Sequence, residues 1–155
     1  MKRVALSVLV LVFGLFVVVS AVPQNATKEE CQAKCQESAQ MAIEKGVDAA
    51  VAEINKKDGK FVWKDSYVFL MDFDGKMLAH PTSPALVGQN VLDRTDKSEK
   101  GKLIFKEFVE LAKSKGQGWV DYMWTKPGEQ APVKKVTYVY RIPGMNLLVA
   151  AGIYE

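Results

Sequence analysis

The segment Tyr67–Pro81, YVFLMDFDGKMLAHP, decides the fold because it reads as two β-strands joined by a tight turn. Its first half is rich in aromatic and other strand-forming residues. Asp74-Gly75 then supplies the pair that a two-residue type I′ turn prefers, since both central residues of that turn have positive φ. A second apolar run, Met77–Ala79, ends at His80-Pro81, where proline cannot donate a hydrogen bond to a sheet. The segment therefore predicts a β-hairpin, and it carries the only histidine of the chain.

The first 21 residues read as an export signal. A short basic start is followed by an almost wholly apolar run at residues 4–19, and Val19-Ser20-Ala21 offers the small residues that a signal peptidase requires. We predict cleavage after Ala21, with the mature domain at residues 22–155 in the periplasm or the extracellular medium. The alternative is a membrane anchor at residues 4–21, because a span needs roughly 20 apolar residues and this run lies at the short edge of that range.

The mature chain has the size of one ordinary domain. Cleavage leaves 134 residues (155 minus 21), and the formal charge falls from +3 to +1 because Lys2 and Arg3 leave with the signal. A chain of this length can bury a core without disulfides. A charge so close to zero provides no electrostatic footprint for nucleic acid, so we expect no nucleic-acid partner.

Residues 27–57 predict a long N-terminal helix that is interrupted at Gly46. Thr27 and Glu30 have the spacing of a capping box, in which each side chain satisfies a backbone N–H of the other residue. After Gly46, a second helical piece extends over Val47–Ile54. The first piece carries a stripe of small residues at helical spacing, able to pack against a sheet or a partner helix: Cys31, Cys35, Ser38 or Ala39, and Ala42.

Cys31 and Cys35 stand four residues apart on this helix, and three interpretations stay open. The two residues are small core or interface residues, they form a disulfide in an oxidising compartment, or they serve redox or metal chemistry. A bridge between them would be strained, because Cα atoms at this helical spacing lie about 6 Å apart, near the upper end of the disulfide range. The same stripe is a candidate seam for a homodimer through the N-terminal helix, with packing on the chain's own sheet as the alternative.

The remaining chain predicts a long loop, a helix and three strands. Residues 82–100 are rich in Pro, Ser, Asp and Lys, and long loops of this kind are often binding lids. Residues 99–115 have the period of an amphipathic helix that ends at Gly116. With the hairpin, the fold class is α+β: a five-stranded antiparallel sheet with a helix inserted between strands 2 and 3 and with helices mainly on one face. The last three strands are predicted at residues 119–124, 134–142 and 146–154.

The chain contains, in this order, YVFLMDFDGKMLAHP, LVGQNVLD, GQGWVDYMW, KKVTYVYRIPG and LLVAAGIYE. In order and spacing these segments resemble the single Cache domains, of Cache type 2, found outside the membrane in bacterial and archaeal receptors, and the similarity covers residues 28–155. The resemblance implies a PAS-like fold with a pocket for a small ligand, often a short organic acid, and no cofactor. In such receptors a kinase, chemoreceptor or cyclase output follows the domain. The sequence stops at Glu155, which favours a stand-alone exported binding protein.

The resemblance places the ligand-binding side chains at His80, Trp119, Tyr122, Lys135 and Tyr138. A bound carboxylate needs a cation or several donors, with walls that exclude water. Strand parity keeps these residues from lining one pocket together, since Trp119 and Tyr122 fall on opposite strand faces, as do Lys135 and Tyr138. Ordinary sheet packing is the alternative for each aromatic residue, and a solvated strand lysine is the alternative for Lys135. At a pocket rim, His80 would make binding sensitive to pH near its usual pKa of about 6.5.

An enzyme is the weaker interpretation. Asp72-Phe73-Asp74-Gly75 resembles the first motif, DxDGT, of haloacid-dehalogenase-type phosphatases, but Lys76 stands where threonine is expected and the companion acidic pair is missing. A calcium loop would need a glutamate where Pro81 stands. We therefore expect no catalytic residues and no metal site. Two classes of function remain: a binding or sensing module for a small molecule, and an interaction protein that docks to a membrane-bound receptor.

Overall fold

The computed structural model describes residues 25–155, so the predicted export signal or anchor lies outside the described residues. Within this range, three helices and six strands form an α+β domain, which confirms the predicted fold class. No helix among these residues is both long and apolar enough to cross a bilayer. The elements are α1 (Lys28–Lys45), α2 (Val47–Ile54), β1 (Val62–Trp63), β2 (Ser66–Asp72), β3 (Met77–Ala79), α3 (Ile104–Lys115), β4 (Gln117–Thr125), β5 (Pro132–Arg141) and β6 (Leu147–Tyr154).

The antiparallel sheet has the strand order β1-β2-β6-β5-β4, and β3 pairs with β2 outside this path. The three last strands form the predicted meander, and the last strand returns to pair with β2 in the middle of the sheet. The sheet has one strand more than predicted, because β1 contains only two residues and is too short to show a period in the sequence.

The predicted hairpin forms, but its turn is not of type I′. Gly75 has φ +91°, whereas Lys64 is the only non-glycine residue of the described chain at positive φ, so Asp74 does not adopt the required conformation. The Asp72 carboxylate instead accepts the backbone N–H groups of Asp74 at 3.0 Å and Lys76 at 2.7 Å. The type I′ prediction is wrong because an aspartate side chain offers turn donors an alternative acceptor.

Helices cover both faces of the sheet, so the expectation that they lie mainly on one face is wrong. On the first face α1 and α2 pack against Val68, Leu70 and Val149. On the opposite face, called here the α3 face, α3 packs against Phe69 and Leu148. In β2, residues Ser66 to Met71 are all buried. Both faces of this strand must therefore pack against other elements.

Helix α1 begins with the predicted capping box. Thr27 Oγ1 accepts the Glu30 N–H at 3.2 Å, and Glu30 Oε2 accepts the Thr27 N–H at 2.9 Å. Its stripe of small residues is buried against the chain's own strands, so the stripe is not available as a seam between two copies. Cys31 and Cys35 are free thiols rather than a disulfide. Burial raises the pKa of Cys31 to about 11 and that of Cys35 well above its usual range.

Helix α3 begins at Ile104, five residues later than the predicted start at residue 99. The Asp96 carboxylate accepts the N–H groups of Ser98 and Lys102, which holds the preceding residues in a loop. As a result Ile104 enters the core, while Leu103, just before the helix, stays 38 % exposed.

Candidate functional site

A buried lysine lies on the α3 face of the sheet. Lys135, on β5, is 1 % exposed. Its Nζ donates to the hydroxyls of Tyr67 at 3.1 Å and Tyr154 at 3.0 Å, and it lies 4.3 Å and 4.6 Å from the centroids of their rings. No carboxylate of residues 25–155 forms an ion pair with it. A buried charge without a counter-ion is costly, so this ammonium is suited to receive an anion.

The strand register explains why these side chains meet. Lys135 stands opposite Tyr122 on β4 and opposite Tyr154 on β6, so the three side chains project from the same face. Gly152 provides the space that the lysine stem occupies. A Cβ atom at Gly152 would lie 2.3 Å from Thr137 Oγ1 and 3.0 Å from Lys135 Cε.

The pKa values of the tyrosines around Lys135 do not all shift in the same direction. Burial raises the pKa of Tyr154 and of Tyr122. For Tyr67, burial acts in the same direction, but the Lys135 charge and the hydrogen bonds from Lys135, Tyr154 and Thr82 together outweigh burial and lower the pKa. Since an ammonium has three N–H donors and two of them engage Tyr67 and Tyr154, the third is free to meet a ligand oxygen.

His80 lies beside this cluster and is neutral. Its ring centroid is 4.9 Å from that of Tyr67, and the ring stacks on Phe69 at 5.6 Å. Nδ1 accepts the Ser83 N–H at 3.0 Å, which leaves the ring proton on Nε2 as a donor. Burial, and secondarily the Lys135 charge, lower the pKa of His80 to about 3. The expectation of a titration near pH 6.5 is therefore wrong for this environment.

A cavity of about 280 Å³ opens next to Tyr67. Tyr67 connects the cavity to the buried lysine, because it lines the cavity and its hydroxyl accepts a hydrogen bond from Lys135. Lys126 in the lining is neutralised by Asp65 at 2.9 Å, whereas Lys97 extends over the Trp124 ring at 5.8 Å. The lining residues are Tyr67, Thr82, Ser83, Lys97, Trp124, Thr125, Lys126, Pro127, Gly128 and Glu129.

A larger cleft of about 530 Å³ runs along the edge strand β4. Two of its lysines, Lys102 and Lys134, already form ion pairs with Glu107 and Glu155. The smaller cavity is the stronger candidate for binding because one of its lining residues, Tyr67, is hydrogen-bonded to the unpaired buried Lys135.

The structure divides the predicted site residues between the two faces of the sheet. Lys135, His80 and Tyr122 lie together on the α3 face, although the Tyr122 hydroxyl is engaged with Thr137 Oγ1 at 2.9 Å. Trp119 and Tyr138 lie on the opposite face, with ring centroids 5.2 Å apart. The resemblance named Trp119 and Tyr138 as binding residues, but they lie away from Lys135, as strand parity predicts, because Trp119 pairs with Tyr138 while Tyr122, on the other face of β4, pairs with Lys135.

Sequence reasoning missed Tyr154 and the polar cavity lining. Tyr67 was within the quoted hairpin segment, but its contact with Lys135 depends on how β2, β6 and β5 pair. The Lys135–Tyr154 contact could have been derived only from the register of β5 against β6. Within residues 25–155, no group of three or more His, Cys, Asp or Glu residues is arranged to hold a metal ion.

Comparison with known proteins assigns the chain to a family. Residues 17–155 match the sequence profile of the family described as Cache domain. The Methyl-accepting chemotaxis protein McpP of Pseudomonas putida is 33% identical over 90 residues, which are 58% of this chain and 16% of that protein. The Sensor histidine kinase MctS of Rhizobium johnstonii is 33% identical over 91 residues, 59% of this chain and 19% of that protein. The chain thus aligns with less than a fifth of the length of either relative.

Solved structures agree with this assignment. A periplasmic sensor domain of a chemotaxis protein is 30% identical with a TM-score of 0.63, covering 81% of this chain and 88% of that one. A Cache chemosensory domain, solved to explain carboxylic acid recognition, is 31% identical with a TM-score of 0.65, covering 79% and 84%. A methyl-accepting chemotaxis protein of Vibrio parahaemolyticus shares the fold, with a TM-score of 0.67 at 23% identity over 82% and 87%.

Proposed function

This chain belongs to the Cache domain family, and from that membership we propose that it is an exported module that binds a short organic acid for sensing in chemotaxis or related signal transduction. Its relatives include a methyl-accepting chemotaxis protein, a sensor histidine kinase and a periplasmic sensor domain of a chemotaxis protein. The proposal concerns binding rather than catalysis.

The single observation that carries the proposal is the buried, unpaired ammonium of Lys135. A ligand carboxylate would supply the missing counter-ion and form a charge-assisted hydrogen bond with the third N–H of Lys135. The hydroxyls of Tyr67 and Tyr154, which accept from Lys135, and the Nε2–H of neutral His80, whose ring contacts Tyr67, surround the same group. The related Cache domain for which carboxylic acid recognition is described supports this ligand class.

A thermal-shift and calorimetric screen of residues 22–155, which contain every described element, tests the proposal. We expect a C2 to C4 carboxylate to raise the melting temperature, because a ligand at 100 times its Kd stabilises the folded state by about 2.7 kcal/mol. Lys135→Met should fold and lose the response, since methionine keeps the apolar stem and removes the charge. The matched control is Lys134→Met, which removes a neighbouring exposed lysine that already pairs with Glu155.

Two outcomes would contradict the proposal. The first is an unchanged affinity in Lys135→Met, and the second is the absence of any response of the wild-type protein to the whole carboxylate panel. In the second case, retention of the protein on a membrane receptor without a small molecule would favour the alternative, an interaction protein that docks to such a partner.

We also propose export with cleavage after Ala21. The apolar run at residues 4–19 and the small residues before the cleavage point support it. N-terminal sequencing of the protein recovered from its native compartment should begin at Val22. A membrane-bound protein with an intact N-terminus would instead support the anchor at residues 4–21.

A further inference from the structure

A further cavity, of about 260 Å³, lies where three elements meet, and its charged lining residues are both cations. Lys115 is the last residue of α3, Gln117 is the first of β4 and Arg141 is the last of β5. The Arg141 N–H donates to the Gly116 carbonyl at 2.8 Å, which ties the turn after α3 to the end of β5. The lining residues are Lys115, Gly116, Gln117, Tyr140, Arg141 and Pro143, with no Asp or Glu among them.

The Arg141 side chain is held by contacts that leave its charge unpaired. Its Nε donates to the Met145 carbonyl at 3.3 Å, and its guanidinium carbon lies 5.3 Å from the centroid of the Phe73 ring. Neither contact uses the two terminal amino groups of the guanidinium, which carry four further N–H donors. A guanidinium that is fixed in advance loses less side-chain entropy when it binds an oxyanion.

Positive charges gather at this end of the domain. Lys113 Nζ lies 5.5 Å from the centroid of the same Phe73 ring, so the Lys113 and Arg141 charges are at most 10.8 Å apart (5.3 plus 5.5). That distance is about one Debye length at 0.1 M salt, so the two charges repel each other. Within residues 25–155, no carboxylate forms an ion pair with Lys113, Lys115 or Arg141. An anion in the cavity would relieve this repulsion.

The end of α3 accounts for only part of this charge. Lys113 and Lys115 stand in the last turn of the helix, where the unpaired carbonyls stabilise cations. Arg141 belongs to a strand, and its side chain contacts Met145 and Phe73 instead of the helix end. Arg141 is therefore the residue that points to a ligand.

Two neutral donors line the same cavity. Gln117 and Tyr140 stand opposite each other on β4 and β5. The Tyr138 hydroxyl donates to Gln117 Oε1 at 2.5 Å, so the Gln117 amide nitrogen is left as a donor, and the Tyr140 hydroxyl is the other. A lining of two cations and two neutral donors matches an ion with several acceptor oxygens.

We propose that this cavity binds a small tetrahedral oxyanion with two negative charges, as phosphate and sulfate carry, held by Arg141 and Lys115. An arginine fork meets two oxygens of such an ion at once, whereas lysine acts as a point charge. Arg141 lies six residues beyond Lys135 along β5, roughly 20 Å at the usual rise of a strand. The oxyanion site is therefore separate from the carboxylate site and does not depend on it.

NMR titration of isotope-labelled residues 22–155 tests the oxyanion site. Phosphate, sulfate and acetate are added at a constant, mildly alkaline pH and constant ionic strength, with chloride as the balancing ion. We expect phosphate and sulfate to shift the amide resonances of Gly116, Gln117 and Arg141 saturably, with acetate at least about tenfold weaker. Arg141→Gln should weaken phosphate binding at least about tenfold, the equivalent of one hydrogen bond to a charged group. Lys115→Gln should weaken it about threefold, as for an exposed ion pair.

Lys45→Gln is the matched control, because Lys45 is likewise an exposed lysine in the last turn of a helix and lies outside this cavity. It should keep the wild-type phosphate affinity. Lys135→Met should keep that affinity within about twofold, since distant sites act independently. If Arg141→Gln does not fold, as judged by circular dichroism, Lys115→Gln at the exposed end of α3 provides the test.

Four results would overturn the oxyanion site. Phosphate shifts equal to those of chloride would show only a diffuse layer of counter-ions. Acetate binding as tight as that of phosphate would contradict a site for a tetrahedral dianion. Unchanged phosphate affinity in Arg141→Gln, or in Lys115→Gln where only that variant folds, would place the anion elsewhere. Loss of phosphate binding in Lys135→Met would assign the anion to Lys135 and leave the proposed function in place.

Discussion

Gly152 shows how one residue without a side chain determines the position of the charged group. Its missing Cβ would lie 2.7 Å from the Val136 carbonyl and 2.3 Å from Thr137 Oγ1, neither of which belongs to the end of a flexible chain. Gly152→Ala should therefore destabilise the domain by about 1–3 kcal/mol and weaken carboxylate binding, because Lys135 must move. Urea unfolding and calorimetry measure the two effects.

The control is Gly118→Ala, also on a strand. The new methyl group would meet the Leu111 side-chain end at 3.0 Å, and that end can rotate away. Gly118→Ala should leave ligand affinity unchanged. A Gly152→Ala variant with wild-type stability and affinity would mean that the stem of Lys135 is not confined as the structure describes.

His80 should make the domain less stable as the pH falls. Its folded pKa of about 3 lies below the unfolded value of 6.5, so between these values the unfolded chain binds more protons. The stabilisation is complete above the unfolded pKa and is lost toward the folded pKa, by at most about 1.4 kcal/mol per pH unit. From pH 7 to pH 5 the wild-type protein should lose up to about 2 kcal/mol more than His80→Asn.

Urea titrations at a series of pH values compare the two proteins. Asparagine is chosen as the replacement because its amide oxygen can accept the Ser83 N–H in place of the histidine Nδ1. The carboxyl groups are common to both proteins, so their own titration cancels in the difference. Parallel stability curves from pH 7 to pH 5 would contradict the description of His80 as a buried neutral ring.

At the scale of elements, the long loop before α3 is held by one buried carboxylate. Asp96 accepts from Ser98 and Lys102 within the loop and from the Met123 N–H on β4 at 3.0 Å. Asp96→Asn replaces one acceptor oxygen by a donor, so we expect a loss of about 1–3 kcal/mol. Hydrogen exchange should accelerate at the amides of Ser98, Lys102 and Met123.

Asp93→Asn is the control for the loop, because the Asp93 side chain is 93% exposed and pairs only with Lys106 on the surface. Exposed pairs of this kind contribute about 0–1 kcal/mol. Equal exchange rates in Asp96→Asn and the wild type would show that the loop is held by its apolar anchors, Leu86 and Val91, alone.

Helix α1 buries both thiols, so they should not react in the folded protein. Burial raises the pKa of Cys31 to about 11, and the thiolate is the reactive form. Ellman's reagent should find no accessible thiol in native protein and two in denaturant. A denatured sample that shows neither thiol after preparation without reductant would instead contain the strained disulfide.

At the scale of the whole molecule, the sequence was most informative where a pattern is local. Thr27 with Glu30, the break at Gly46 and the strands of the meander follow from spacing alone, and the structure has them. Strand parity also separated Tyr122 from Trp119 correctly.

The sequence alone could not show which helix packs on which face of the sheet, because that depends on long-range packing. The small residues of α1 leave room on this face of the sheet, where Tyr138 is buried in the core and Trp119 packs against it. Lys135 was found by resemblance, but its partners Tyr67 and Tyr154 come from strands distant in the chain, and only the pairing of β2 with β6 and of β6 with β5 brings them together.

The positions of the tryptophans on the two faces of the sheet allow ligand binding to be followed by intrinsic fluorescence. Trp63 and Trp119 are half-buried and pack against the core under α1, whereas Trp124 forms a wall of the cavity with Lys97 above its ring. These are the three tryptophans of the chain. Replacing Trp63 and Trp119 by phenylalanine would leave a single emitter at the cavity, so that fluorescence intensity and emission wavelength would follow ligand occupancy without a label.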